Sequence, residues 1–162
     1  MRRALPLVAL LGPAAVLGAA LFSQHVGGLA PCQMCIWQRW PHGIAIGLAA
    51  LALLLGRGRP AALLFFLGAL ALLVGSGLGV FHAGVELAWW EGPTECSGAP
   101  ATGLSAADFV ERLKAAPLVR CDVVAWSFLG VSMAGWNAIL SAGLAGATLL
   151  AARDQASSSA SQ

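Results

Sequence analysis

An all-α polytopic membrane protein, a bundle of four transmembrane helices with one long outer loop, is the fold class this chain predicts. Three observations carry it. Hydrophobic residues fill 59% of the 162 positions and charged residues only 10%, against about 45–50% and 25% in soluble domains. Four stretches, residues 4–22, 40–56, 60–85 and 123–152, hold no charge. The basic residues are scattered between these stretches for a net charge of +2, with no Lys/Arg run to suggest nucleic acid.

Each element follows from the sequence in order. Span one covers residues 4–22; the competing reading of this segment is a signal peptide, with Arg2 and Arg3 as its basic start. An outer loop, 23–36, follows with glycines and Pro31 to turn it. The second charge-free stretch is short, about 25 Å long at ~1.5 Å per residue, where the hydrocarbon core needs about 30 Å. Its helix must therefore start nearer Cys35, and span two is set at 37–56. Pro41, which lacks an N–H, should kink or restart it. The GRGRP turn leads to span three, 60–83, whose Gly75 and Gly79 form a G-x-x-x-G pair. That pair suits close helix approach, although glycine is common throughout this chain.

The long loop, 84–122, opens with the irregular EGPTECSGAP. LSAADFVERLKAA follows, where Ser105 and Asp108 have capping-box spacing and Leu104 and Phe109 staple positions. A short interfacial helix is expected there, with Phe109, Val110 and Leu113 facing lipid or protein. Span four is set at 123–151, which closes a single membrane domain over residues 1–152. The remaining tail, 153–162, has low-complexity composition and is expected to be disordered.

Orientation follows from the arginines. Arg2, Arg3, Arg57, Arg59 and Arg153 fall on one side; Arg39, Arg112, Lys114 and Arg120 fall on the other, and only Arg39 and Arg120 of these lie close to a span. Short arginine-rich segments stay inside, so both termini are placed in the cytoplasm. Trp37, Trp40, Trp89, Trp90 and Trp126 then share the outer boundary as an aromatic belt. All four cysteines fall outside, where disulfides persist.

Cys32 and Cys35 form a C-x-x-C pair. Haem attachment would need a histidine where Ile36 stands. Zinc fits poorly, because Cys96 and Cys121 do not form a second C-x-x-C, so no metal is expected. A redox pair remains, its thiolate favoured near a helix start and by Arg39 four residues after Cys35. Cys96 and Cys121 on their own read as a loop staple worth about 3.5 kcal/mol in the loop-entropy model. Beside a redox C-x-x-C, a shuttling pair is favoured. His25 and His42 read as interfacial polar groups, and Glu86, Glu91 and Glu95 as a solvated loop face.

PCQMCIWQRWPH, FHAGVELAWWEGPTEC and RCDVVAWSFLGVSMAGWN resemble the DsbB family of bacterial inner-membrane disulfide-bond formation proteins. The resemblance runs from residue 24 to about Asn137. It implies a protein-dithiol:quinone oxidoreductase that reoxidises a periplasmic, thioredoxin-fold oxidase of the DsbA kind. Cys96 would take the partner's thiol, Cys121 would attack Cys32, and Cys35 would be released beside a ubiquinone or menaquinone. Arg39 matches the family's quinone-contacting arginine, and His82 its histidine near the same site. The long loop is then periplasmic. The rival readings are a scaffold or small transporter with structural disulfides, and a four-helix reductase resembling vitamin K epoxide reductases, in which the C-x-x-C lies on a later helix.

Overall fold

In the computed structural model, which describes residues 4–93, 105 and 119–158, small side chains point inward and large ones outward. Ala52 is fully buried, whereas Leu54, two positions along, is 84% exposed. The core is built of Ala9, Ala45, Ala49, Ala61, Ala69 and Ala145 with Phe65 and Leu72 among them. A protein folded in water inverts this arrangement. In lipid, apolar burial between helices gains little, and small residues let backbones approach.

The described elements are α1 (Leu5–His25), α2 (Gln33–Trp37), α3 (Arg39–Leu55), α4 (Arg59–Glu86), a hairpin of β1 (Ser127–Phe128) with β2 (Val131–Ser132), and α5 (Met133–Ser158). Helices α1, α4 and α5 are long and apolar enough to cross a membrane. The chain is an all-α polytopic membrane protein. Helix α4 packs most extensively on α5 and then on α3, and α1 lies against α3 and α5.

The glycine pair sits in the α4 contacts. A Cβ on Gly79 would lie 2.8 Å from the Ala138 amide nitrogen, and one on Gly75 3.1 Å from Pro41 Cβ. Ser76 Oγ donates to the Ala138 carbonyl at 2.9 Å, tying α4 to α5 beside the close approach.

Three boundaries differ from expectation. Pro41 lies in the first turn of α3, where its missing N–H costs nothing; the helix restarts there, and Gln38 separates α2 from α3. Span four does not begin at 123. Residues 127–132 form a hairpin, Ser127 pairing with Ser132 and Phe128 with Val131. Its two turn residues, Leu129 and Gly130, have φ of 51° and 76°, as a type I′ turn requires. Helix α5 starts at Met133 and continues through Ser158, so the segment expected to be a disordered tail supplies its last turns, with Gln155 buried. Cys96 and the predicted interfacial helix lie outside the described residues.

Candidate functional site

The C-x-x-C is held by a five-residue helix. Cys32 caps α2 with extended backbone, and its Sγ accepts the Cys35 N–H at 3.3 Å. This is the ordinary N-cap bond, satisfying a third-position donor, made here by sulfur. It brings the two side chains together as separate thiols, with the Cys32 thiol donating to Cys35 Sγ at 3.2 Å.

That bond splits the pair. The Cys32 thiol is pushed up to about 12, first by its hydrogen bond to Cys35 and then by burial. Cys35 is held below the ordinary thiol range, chiefly by the same bond, against the opposing cost of burial. The Cys32 bond, rather than the Arg39 charge that the spacing suggested, is the leading cause. As pH rises, Cys35 therefore loses its proton first and Cys32 last. Cys35 is also the more exposed of the two. Limited iodoacetamide treatment of the reduced protein should accordingly modify Cys35 before Cys32, with reactivity persisting below pH ~8.5, where an ordinary thiol titrates. Peptide mass spectrometry checks this, and modification of Cys32 first would contradict it.

Behind the pair, Cys32, Met34, Val85 and Cys121 form one buried cluster, with Cys35 and Val119 packed on it. His82 closes the other side. It is buried, its Nε2 is 3.6 Å from Cys32 Sγ, and Glu86 Oε1 lies 4.0 Å from the same nitrogen. Residues 82 and 86 are one turn apart on α4, which puts both on the face toward α2. The Glu86 side chain is only 6% exposed, and its Oε2 is buried without a hydrogen-bond partner. Glu86 is thus part of the site wall and not of a solvated loop face.

In front of the pair lies an apolar cleft. Val16, Leu17 and Ala20 of α1 form one wall, Ala134 and Asn137 of α5 another, and Cys35, Gln38 and Arg39 sit between them. Arg39 Nη1 donates to Gln24 Oε1 at 2.6 Å, while its Nε is buried with no partner. His82 is not among the cleft-lining residues; it contacts Gln38, which lines the cleft, and Cys32, which bonds the cleft-lining Cys35.

His42 is buried, not interfacial. Its Nδ1 donates to the Gln38 carbonyl at 3.0 Å and its Nε2 accepts from Ser141 Oγ at 3.3 Å, which ties the start of α3 to α5. Trp37, Trp40, Trp89, Trp90 and Trp126 are all exposed around this end of the bundle, where a belt was expected. Cys32, Cys35 and His82 place three ligand atoms within 4.8 Å of one another. A soft cation could use them, but closing a disulfide removes two of the ligands, so metal and redox couple exclude each other.

Sequence reasoning therefore placed Cys32, Cys35, Cys121, Arg39 and His82 at one end of the bundle, where the structure also has them. It missed Gln24, Gln38, Asn137 and Glu86. Gln38 and Asn137 carried one signal: each is a polar residue beside or within an otherwise charge-free apolar run.

Comparison with known proteins bears on the same residues. A disulfide bond formation protein B of Polaromonas naphthalenivorans is 34% identical over 173 residues, 93% of this chain and 91% of the relative. One of Verminephrobacter eiseniae is 35% identical over 165 residues, 93% and 84% of the two chains. One of Idiomarina loihiensis is 34% identical over 153 residues, 85% and 77%. No solved structure matches the chain. The family described as Disulfide bond formation protein DsbB matches residues 2–151, through both walls of the cleft and the C-x-x-C between them, and the chain belongs to that family.

Proposed function

We propose that this chain is a quinone-dependent thiol oxidase of the bacterial inner membrane, taking electrons from a periplasmic thioredoxin-fold dithiol of the DsbA kind. The observation that carries this reading is one juxtaposition: Cys35 and Arg39, whose Nε is buried without a partner, line the same apolar cleft, with Cys32 and Cys121 packed behind. A flat apolar ring with carbonyl acceptors fits such a cleft, because a buried donor is left wanting an acceptor. Arg39 would hold a quinone carbonyl, with Val16, Leu17 and Ala134 against the ring. Ubiquinone and menaquinone share this chemistry. A quinone bound there supplies a two-electron, two-proton acceptor.

The protein's own steps are thiol–disulfide exchange. The partner's thiolate attacks Cys96 of a Cys96–Cys121 disulfide, and Cys121 leaves as thiolate. The partner's second thiolate then releases Cys96 and closes the partner's disulfide. Cys121 attacks Cys32 of the oxidised C-x-x-C, forming a Cys121–Cys32 bond and expelling Cys35. The better leaving thiol is the one of lower pKa, and Cys35 has that property. Cys121 packs in one buried cluster with Cys32, so its sulfur is already beside the pair. Cys96 then attacks Cys121, restoring the loop disulfide and leaving the C-x-x-C reduced.

Both termini are placed in the cytoplasm and the cysteines on the periplasmic side, on the arginine distribution. The test is turnover: purified protein, a reduced thioredoxin-fold partner and a water-soluble quinone should yield one quinol per partner disulfide formed. A scaffold or transporter with structural disulfides yields none.

A further inference from the structure

We propose that Gln38 is a positioning residue, whose side-chain amide fixes His82 as the Nε2–H tautomer so that the imidazole donates to Cys32 Sγ. The inference deepens the oxidase reading and rests on it for its functional consequence, though not for the tautomer itself.

The argument is one of donors and acceptors. Gln38 is buried between α2 and α3 and makes three side-chain contacts. Its Nε2 donates to the Met34 carbonyl at 3.2 Å and faces His82 Nδ1 at 2.8 Å; its Oε1 accepts from Asn137 Nδ2 at 2.7 Å. Side-chain amides are ambiguous in isolation, because oxygen and nitrogen have the same shape. Here two backbone carbonyls remove the ambiguity. Asn137 Nδ2 also lies 3.5 Å from the Gly75 carbonyl, so that atom must be the donor end. Rotating the Gln38 amide would set its oxygen against the Met34 carbonyl and its NH₂ against the Asn137 NH₂.

With the amide fixed, a donor faces Nδ1, so Nδ1 of the neutral ring must be the acceptor and Nε2 must carry the proton. The surroundings of Nε2 agree. The groups near it, Cys32 Sγ at 3.6 Å and Glu86 Oε1 at 4.0 Å, are both acceptors.

The consequence concerns Cys32. Closing the reduced pair into a disulfide removes two electrons and two protons, one proton from each sulfur with that of Cys35 leaving first, and the quinone proposed above takes up two electrons and two protons to become quinol. Cys32 holds its proton tightly because it donates to Cys35. An Nε2–H aimed at Cys32 Sγ meets the negative charge as that proton leaves, which offsets part of the cost. The opposite tautomer would present a lone pair to the forming thiolate. The titratable groups around the ring are Cys32 and Cys35 from α2, Glu86 from α4 and Cys121, whose backbone hydrogen-bonds the ring.

The test is ¹⁵N NMR of histidine-labelled, reduced full-length protein in detergent, with the His82 signals assigned by their loss in His82→Gln. Wild type should show an unprotonated Nδ1 and a protonated Nε2. A protonated Nδ1 in wild type overturns the proposal, and this reading needs no quinone and no other variant. Gln38→Glu puts a carboxylate opposite Nδ1 and should exchange the two signals; a folded Gln38→Glu with the wild-type pattern also overturns it. In the kinetic arm, Gln38→Met should slow quinone-driven closure of the pair about tenfold near neutral pH. Exchange of the loop disulfide with the partner should keep its wild-type rate; equal loss in both half-reactions would mark a merely structural role and contradict the proposal. Failure of the oxidase reading shows instead as absent quinol with the tautomer unchanged.

Discussion

Cys35→Ser protein should form no quinol above background, a fall of at least about 10⁴-fold, comparable to removing a catalytic nucleophile elsewhere. A serine hydroxyl cannot form a disulfide, so the pair loses its only two-electron state. The same substitution has a second, local effect. The first cause holding Cys32 up to about 12 is its hydrogen bond to the Cys35 sulfur. With the Cys35 sulfur replaced by a neutral hydroxyl that can donate as well as accept, the Cys32 thiol should titrate lower, and its alkylation should set in at lower pH than in wild type. Intact turnover in the variant would show that Cys35 is not the sulfur that faces the acceptor. Unchanged Cys32 titration would show that the 3.2 Å contact does not split the pair.

Arg39→Ala should lower kcat/KM for the quinone about 10- to 100-fold, the range expected for a hydrogen bond from a charged donor. Exchange with the dithiol partner should change less than about twofold, because Arg39 is not among the causes that set the titration of Cys32 or Cys35. Arg39→Lys restores the charge but not the planar fork, and should recover only part of the loss. Gln24→Ala separates positioning from contact. It removes the 2.6 Å bond that holds Nη1 and should raise KM for the quinone while leaving kcat near wild type. Equal loss in both half-reactions for Arg39→Ala would remove the guanidinium from the quinone site.

The helix bundle was legible because hydropathy and charge act over whole segments. Each of the four charge-free runs holds most of one long helix, but the helix of the second starts only at Arg39, and Cys35 belongs to the separate short helix before it. What was not legible depended on single residues. Leu129 and Gly130 turn a hairpin inside an apolar run that hydropathy alone reads as membrane span. Pro41 sits two residues inside α3, the break falls at Gln38, and Arg39 bonds Gln24.

The site shows the same division. Cys32 and Cys35 are neighbours by sequence, and their spacing alone puts both sulfurs at one helix start. That His82 backs onto Cys32, and that Gln38 and Asn137 form a chain of amides behind it, depends on how α3, α4 and α5 pack. No local spacing encodes contacts across 44 and 99 residues. Glu86 looked like a loop carboxylate because the length of α4 was underestimated by about one turn; at its true end the side chain is turned inward beside His82.

The most direct test of the central claim is an anaerobic single turnover with fully reduced wild-type protein, one equivalent of quinone and no partner. Quinol and the Cys32–Cys35 disulfide should appear together, at one rate and in equal amounts. Quinol without that disulfide, or the disulfide without quinol, would contradict the account.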